Sequence, residues 1–490
     1  MASDVERHFA GASHWSRRKA FDGFFVATLL FTLSAALTQA RRLTVDGFLN
    51  LYAGRWIAEH GIPLTDPFTL AGQGRPWLDQ QWLAHLAYYM SWQAGGYAAV
   101  ALFSALAAAT GFGLLFWLLR GLGASALASC LWSLAALVAS LSSVTPRAQV
   151  FGFPLFVALL FWLLAEDRSA RRWQRWWVVP LVALWGNLHG SVLLAVALVV
   201  TRSLVDAFLA LRSRRPREAV LHGGLALAAV AAVMANPYGA GIWAYYVRIM
   251  TSPAIAGAVS AWQPLNLTDV AQMPLLLFIA TASGAALWSW HRGQRLRPDL
   301  VLLAVLTVGM TFQSGRQEMW AATTLAALAA SSWKRAAGRA PPRLVRHSLV
   351  AASAAFALLA VTSVSTRPPA GFEQALPRGA VAAAADLLNA DPTATLLGDE
   401  SVALLLWRHP ETSGRAAFDI RYEVFPEAQQ DSYLGFLAAR VPAWHALASK
   451  YEVLVVSKAT RPSLAKRIAR SSGWAGVYSN ETGLVATSTG

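Results

Sequence analysis

Long apolar stretches alternate with short, arginine-rich joints over most of this chain. Apolar runs at 21–40, 97–119, 123–143, 150–165, 177–189, 191–211, 219–235, 273–290, 299–313, 318–333 and 347–366 each read as a helix crossing a bilayer, eleven in all. A span needs about 20 residues, so the runs at 177–189 and 299–313 are short. After Arg367-Pro368-Pro369 the pattern changes. Alternating apolar positions at 393–397, 416–420, 453–457 and 483–487 predict strands, and 378–389, 426–439 and 461–471 predict helices. The expected fold class is an α-helical polytopic membrane protein of about eleven helices with a small C-terminal soluble α/β domain. Its parts are an N-terminal segment 1–21, a transmembrane domain 22–366 with a polar loop 41–82, and the α/β domain 371–490.

Composition agrees with that pattern. The chain has 490 residues, 56% of them hydrophobic and 14% charged, where a soluble protein carries about a quarter charged. The net charge of +15 is not a nucleic-acid footprint, because no basic face is interleaved with stacking aromatics. It sits instead at alternate joints: Arg120; Arg168, Arg171, Arg172 and Arg175; Arg212, Arg214, Arg215 and Arg217; Arg292, Arg295 and Arg297; Lys334, Arg335, Arg339, Arg343 and Arg346. Such clusters mark the cytoplasmic side. They place the N-terminus inside and, with an odd number of spans, residues 371–490 outside. Ser16-Arg17-Arg18 has the look of a twin-arginine signal, but the run behind it is too long and too many spans follow. Cys130 lies alone in an apolar run, so no disulfide framework exists.

The polar loop 41–82 holds the candidate chemistry. Phe48, Leu51, Tyr52 and Trp56 predict an amphipathic helix over 48–59 that lies along the membrane surface, and a second helix over 81–93 leads to Gly95-Gly96. Asp46, just past the first span, suits a general base toward an acceptor hydroxyl and equally a helix N-cap. Asp66, before Pro67, suits a turn or a substrate contact. The two short spans end in polar groups, Asn187-Leu188-His189-Gly190 and Gln313-Ser314-Gly315-Arg316, on the same side as Asp46. Such ends are tolerated where they line a cavity. His189, an ionisable residue at a span end, and Asn187 beside it are therefore candidate binding residues. Arg147 and Arg316 have forks that fit phosphate oxygens, and Tyr238 belongs to a helix-ending Asn236-Pro237-Tyr238-Gly239. Arg202 and Asp206, one turn apart, read as an ion pair.

Asp46, Gly61-Ile62-Pro63, Asp66-Pro67-Phe68, Trp77, Gln81-Trp82-Leu83, the segment Leu184 to Gly190 and Asn236-Pro237-Tyr238-Gly239 together resemble bacterial membrane proteins related to the GT-C glycosyltransferases. Asp419-Ile420-Arg421-Tyr422-Glu423 and Gly473-Trp474 resemble the tail domain of the same group. Gln80-Gln81 stands where that group has His-Glu. The resemblance implies an inverting transferase in the bacterial inner membrane. It would move a sugar from a polyprenyl-phosphate-linked donor to an extracytoplasmic glycan, lipid or protein acceptor. Asp46 would be the base, Arg316 and Arg147 would hold the lipid phosphate, and His189, Asn187, Asp66 and Tyr238 would contact substrate. Some relatives hold a divalent metal, but this chain presents no decisive ligand set. The competing readings are a transporter, flippase or assembly subunit, which internal inverted repeats would favour and none is evident, and an acyltransferase using His189.

Overall fold

The computed structural model describes residues 22–164, 172–252, 264–332 and 343–489. The segment 1–21, with its Arg17-Arg18 pair, and the basic residues Arg168, Arg171, Lys334, Arg335 and Arg339 lie outside these. Each apolar run foreseen as a span coincides with a helix: α1 Gly23–Gln39, the second half of α3 Trp82–Gly121, α4 Ala126–Ala139, α5 Gln149–Leu164, α6 Val178–Leu188, α7 Val192–Arg212, α8 Pro216–Ala232, α10 Met273–His291, α11 Pro298–Gln313, α12 Glu318–Ser332 and α13 Arg343–Ser365. α2 Val45–His60 fills the polar loop, and α9 Gly241–Thr251, which the apolar pattern did not foretell, follows α8. By length and hydropathy α3, α7, α10 with the single turn before it, and α13 each suffice to cross a membrane, whereas α1, α4, α5 and α11 are apolar but shorter. At 1.5 Å per residue α6 rises only about 16 Å.

Helix burial sorts the bundle. In α12 every residue from Met319 to Ala330 is buried, so this helix, apolar all round, is the centre. α10 and α13 expose Leu277, Trp288, Phe356 and Leu358, as lipid-facing helices do. α1 and α13 run parallel: Gly23 at the start of α1 abuts Arg346, and Phe31 meets Phe356 halfway, centroids 6.4 Å apart. The first and last membrane helices thus enter from the same end. Arg297 donates to the Leu164 carbonyl at 3.2 Å, and Arg202 pairs with Asp206 at 3.0 Å as the spacing predicts. The basic joints and the polar loop accordingly occupy opposite ends of the bundle, the basic end and the loop end.

α3 is two helices joined at a corner. Gly96 takes φ 62° and ψ −153°, a conformation open to glycine and closed to residues with a Cβ, so the chain turns there from the loop end into the membrane. α2 crosses the first half of α3 at close range. A Cβ at Gly54 would come within 2.1 Å of the His85 carbonyl oxygen.

Beyond α13 the chain forms a sheet in the order β1-β2-β4-β3, from β1 Leu396–Gly398, β2 Val453–Ser457, β3 Trp474–Ser479 and β4 Gly483–Ser488. β1 and β2 are parallel and the rest antiparallel. Helices α14 Arg378–Ala390, α15 Val402–Arg408, α16 Glu427–Leu437, α17 Ala443–Ala448 and α18 Pro462–Arg470 surround it. The strand expected at 416–420 is replaced by single bridges from Ala416 to Leu396 and to Thr69. The segment is sandwiched between β1 and the polar loop, with too few consecutive partners for a ladder. β3 was not foreseen because its side chains are mostly exposed and it pairs on one edge only.

The C-terminal part is bolted onto the loop. Arg421, 2% exposed, pairs with Asp66 at 2.6 Å and Asp419 at 2.7 Å. Its guanidinium lies 4.2 Å from the Trp77 ring centre and 4.9 Å from that of Phe68. Tyr52 of α2 donates to Asp419 at 2.9 Å, and Arg55 donates to the carbonyls of Leu406 and Trp407.

Two outcomes follow. Arg421→Met strands two buried carboxylates without a cation and is expected to cost about 3–5 kcal/mol, read as a lower melting temperature in detergent and faster proteolysis near Asp66. Gly54→Ala is expected to cost about 1–3 kcal/mol by prising α2 from α3; an unchanged or higher melting temperature would contradict that packing.

Candidate active site

Three loops meet at the loop end around Asp46. The residue sits in the first turn of α2, where its charge favours the helix N-terminus. Its side chain turns away from the helix amides, so it is not the cap; Thr44 holds that place. Asp46 Oδ2 instead receives Arg147 at 3.0 Å and Arg316 at 3.3 Å. The three side chains are 27%, 24% and 25% exposed respectively, open enough for a ligand to reach them. Arg147 comes from the α4–α5 joint and Arg316 from the α11–α12 joint.

Hydrogen bonds stitch these two joints together. Gln149 donates to the Arg316 carbonyl at 2.9 Å, and Ser143 donates to Glu318 at 2.8 Å, joined there by Ser142. Tyr88 holds the Arg147 carbonyl at 3.1 Å. Neither arginine is therefore a loose snorkelling side chain. Sequence reading passed over this support, although Ser142, Ser143 and Gln149 were visible as polar residues inside an otherwise apolar stretch.

His189 caps α6 and lies within electrostatic range of both Asp46 and Arg316. Its Nδ1 faces the Ser191 hydroxyl and amide at 2.8 and 3.1 Å. Burial opposes the charge on Asp46, but the two guanidiniums outweigh it and hold its carboxyl below the ordinary range. Two guanidiniums face the Asp46 carboxylate, the Glu318 carboxyl lies within electrostatic range of Arg147, and the partly exposed guanidinium forks suit phosphate oxygens. No group of three or more His, Cys, Asp or Glu side chains converges among the described residues. Two guanidiniums around a single carboxylate do not fit a divalent metal.

The structure does not bring the other candidates into this cluster. Asp66 is buried against Arg421 and accepts from the Phe68 amide and the Thr69 hydroxyl. Asn187 accepts from the Trp82 indole at 2.6 Å and donates to the Ala183 and Ala235 carbonyls, which ties α6 to α3 and α8. Tyr238 donates to the Pro63 carbonyl at 3.1 Å and accepts from the Asp79 amide at 2.9 Å. All three are joints whose polar atoms are already partnered.

Two further features went unnoticed in the sequence. Gln80 and Tyr246 flank Gly190, next to His189. Gln80 Oε1 and the Tyr246 hydroxyl are buried there with no hydrogen-bond partner among the described residues. Asp79 and His85 form a buried pair at 2.7 Å, and Gln81 lies 3.0 Å from the other ring nitrogen. Gln81, which stands where the resembling group has an acid, is thus engaged with His85.

No protein-family model matches the sequence, and no curated protein matches it. Solved structures do. ArnT from Cupriavidus metallidurans in the apo state aligns over 94% of this chain and 96% of its own, at TM-score 0.50 and 16% identity. The archaeal oligosaccharyltransferase AglB from Archaeoglobus fulgidus, in complex with an inhibitory peptide and a dolichol-phosphate, aligns over 96% of this chain and 75% of its own, at TM-score 0.52 and 12% identity. The apo oligosaccharyltransferase of the same organism aligns over 90% and 70%, at TM-score 0.51 and 12% identity.

A pH dependence of stability comes from the C-terminal part. Burial pushes Glu423 up to about 7, and burial with the neighbouring Glu400 pushes Asp399 to about 6. The folded state binds these protons more tightly than the unfolded chain, so their contribution is present at low pH and is lost as pH rises through 6 to 7. The melting temperature is expected to fall between pH 5 and 8. Glu423→Gln, which mimics the protonated acid, is expected to flatten that fall; an unchanged slope would place the titration elsewhere.

Proposed function

We propose, from the GT-C fold that this multi-pass membrane protein shares with its solved neighbours, that it is a glycosyltransferase using a polyprenyl-phosphate-linked sugar. The observation that carries the reading is the partly exposed Arg147 and Arg316 pair around Asp46 at the loop end of a membrane bundle. There a lipid phosphate meets two guanidinium forks at headgroup depth. The dolichol-phosphate held by AglB supports a lipid phosphate as the ligand class. The basic joints at the opposite end support an extracytoplasmic position for the site and for residues 371–490.

In this reading the donor phosphate takes the arginines that now hold Asp46. Relieved of them, the Asp46 carboxyl rises toward its ordinary value and becomes a better base. It accepts the proton of an acceptor O–H as that oxygen attacks the anomeric carbon. The bond from that carbon to the phosphate oxygen breaks, the electron pair leaves with the polyprenyl phosphate, and the configuration inverts. Arg147 and Arg316 bear the charge that develops on the leaving phosphate. The unpartnered Gln80 Oε1 and Tyr246 hydroxyl beside Gly190 suit hydroxyls of the transferred sugar. A second candidate base is Glu423, whose carboxyl burial raises to about 7 and which lies within electrostatic range of Tyr245, the neighbour of Tyr246.

The test uses purified full-length protein, undecaprenyl phosphate as binding probe and a panel of polyprenyl-phosphate sugars for turnover. Arg316→Gln is expected to weaken probe binding roughly 10- to 100-fold, the range for a hydrogen bond to a charged group. Asp46→Asn is expected to keep probe binding and to lower turnover by about two orders of magnitude. Full turnover in Asp46→Asn with loss in Glu423→Gln would move the base to Glu423. No binding of any polyprenyl phosphate by the folded wild type would sink the transferase reading.

A further inference from the structure

A groove of about 390 Å³ runs between α1 and α13, and neither Arg147 nor Arg316 lines it. Phe31, Ala35, Phe356, Leu359 and Ala360 form its walls, and Arg41 closes its loop end. The hydroxyls of Ser34 and Thr38 also face it, but each donates to its own helix backbone, to Leu30 at 2.6 Å and to Ser34 at 2.9 Å. Apart from Ser363 near its loop end, the groove is therefore apolar in effect. Its outer rim is lipid-facing, since Phe356 and Leu359 are 55% and 65% exposed.

The mouth of the groove is strongly cationic. Arg41 and Arg42 follow α1, and Arg367 follows α13, which runs parallel to it and ends beside it. Arg41 and Arg42 are exposed, and none of the three has a carboxylate partner among the described residues. Arg367 donates to the Gly371 carbonyl and to Gln374, with its guanidinium 5.7 Å from the Phe372 ring centre. Burial together with the charges of Arg41 and Arg42 lowers its pKa below the ordinary value, as expected when like charges crowd. These arginines lie at the loop end, the end that otherwise lacks the basic clusters orienting the bundle. Topology therefore gives no reason for three cations here, and their mutual repulsion calls for an anion.

We propose that this groove binds one anionic phospholipid of the bilayer, its phosphate on Arg41, Arg42 and Arg367 and an acyl chain between α1 and α13. Basic pockets between membrane helices select anionic headgroups in this way. A zwitterionic lipid would bring its own cation to the three guanidiniums. The site also has a structural consequence. Arg41 and Arg42 begin the linker to α2, whose next residue, Leu43, donates its amide to the Phe372 carbonyl at 2.8 Å. A lipid headgroup there braces the linker that leads to Asp46. The proposal stands whether or not the transferase reading does.

Native mass spectrometry of the full-length protein in nonionic detergent tests it, with phosphatidylglycerol and phosphatidylcholine offered together. The wild type is expected to retain phosphatidylglycerol at least tenfold over phosphatidylcholine. That preference is expected to vanish in R41Q/R42Q/R367Q, while A360W, which fills the groove and leaves the arginines intact, is expected to reduce retention of the lipid itself. Circular dichroism establishes that each variant is folded, and the competition in the wild type needs no variant. Equal retention of the two lipids, or a triple variant that keeps the preference, would overturn the proposal. So would one-for-one displacement of phosphatidylglycerol by undecaprenyl phosphate, which would assign the groove to the donor's tail.

Discussion

A guanidinium with almost no access to water sits where the polar loop meets the C-terminal part. Burying the charge of Arg421 is tolerable only because Asp66 and Asp419 both reach it and the faces of Trp77 and Phe68 cover it. Burial by itself would lower the pKa of Arg421, but the two carboxylates raise it well above the usual value, so the side chain is locked in its charged form. One carboxylate comes from the loop and the other from the end of the 416–420 segment. The ion cluster therefore exists only when the two parts are docked, and it makes their docking specific. Around it α2 is gripped from both sides: its Gly54 face lies against α3, while Tyr52 and Arg55 bind the C-terminal part. α2 is consequently a fixed platform, and Asp46 in its first turn inherits that rigidity.

The chain uses the same pair of residue types in two places for opposite ends. At Arg421 two carboxylates surround one guanidinium, nothing is exposed, and aromatic rings seal the cluster. At Asp46 two guanidiniums surround one carboxylate, and a quarter of each side chain is open. The first arrangement has no room for a ligand, and any spare charge it carries is negative. The second offers two partly exposed guanidiniums. Exposure separates the two clusters more clearly than distance does, since their contacts run from 2.6 to 3.3 Å.

Helix positions were legible in the sequence because apolar runs alternate with polar joints, several of them rich in arginine, and every run foreseen as a span became a helix. The break at Gly95-Gly96 was legible too, since consecutive glycines invite a conformation other residues avoid. β3 and α9 were not. β3 carries its apolar surface on one residue at its start and otherwise faces water, so no alternation announces it. Among the candidate side chains, Asp46, Arg147, Arg316 and His189 came together because all four stand at helix ends on one side, a property that alternation of spans reveals. Asp66, Asn187 and Tyr238 stand at similar ends but are used up by neighbours distant in sequence: Arg421, Trp82 and Pro63. No local pattern encodes such partners, and a polar residue at a loop reads alike whether it is free or held.

Two short helices explain why His189 and Arg316 stand beside Asp46. α6 stops at Leu188 and α11 at Gln313, both well short of a full bilayer crossing, and each hands its unsatisfied terminal carbonyls to a polar turn instead of to lipid. Their ends bring His189 and Arg316 within electrostatic range of Asp46, and the turns that follow need protein around them, because unpaired backbone cannot face hydrocarbon. Ser142, Ser143 and Gln149 bind the turn that opens α12, and α2, held to the C-terminal part through Tyr52 and Arg55, presents Asp46 to Arg316.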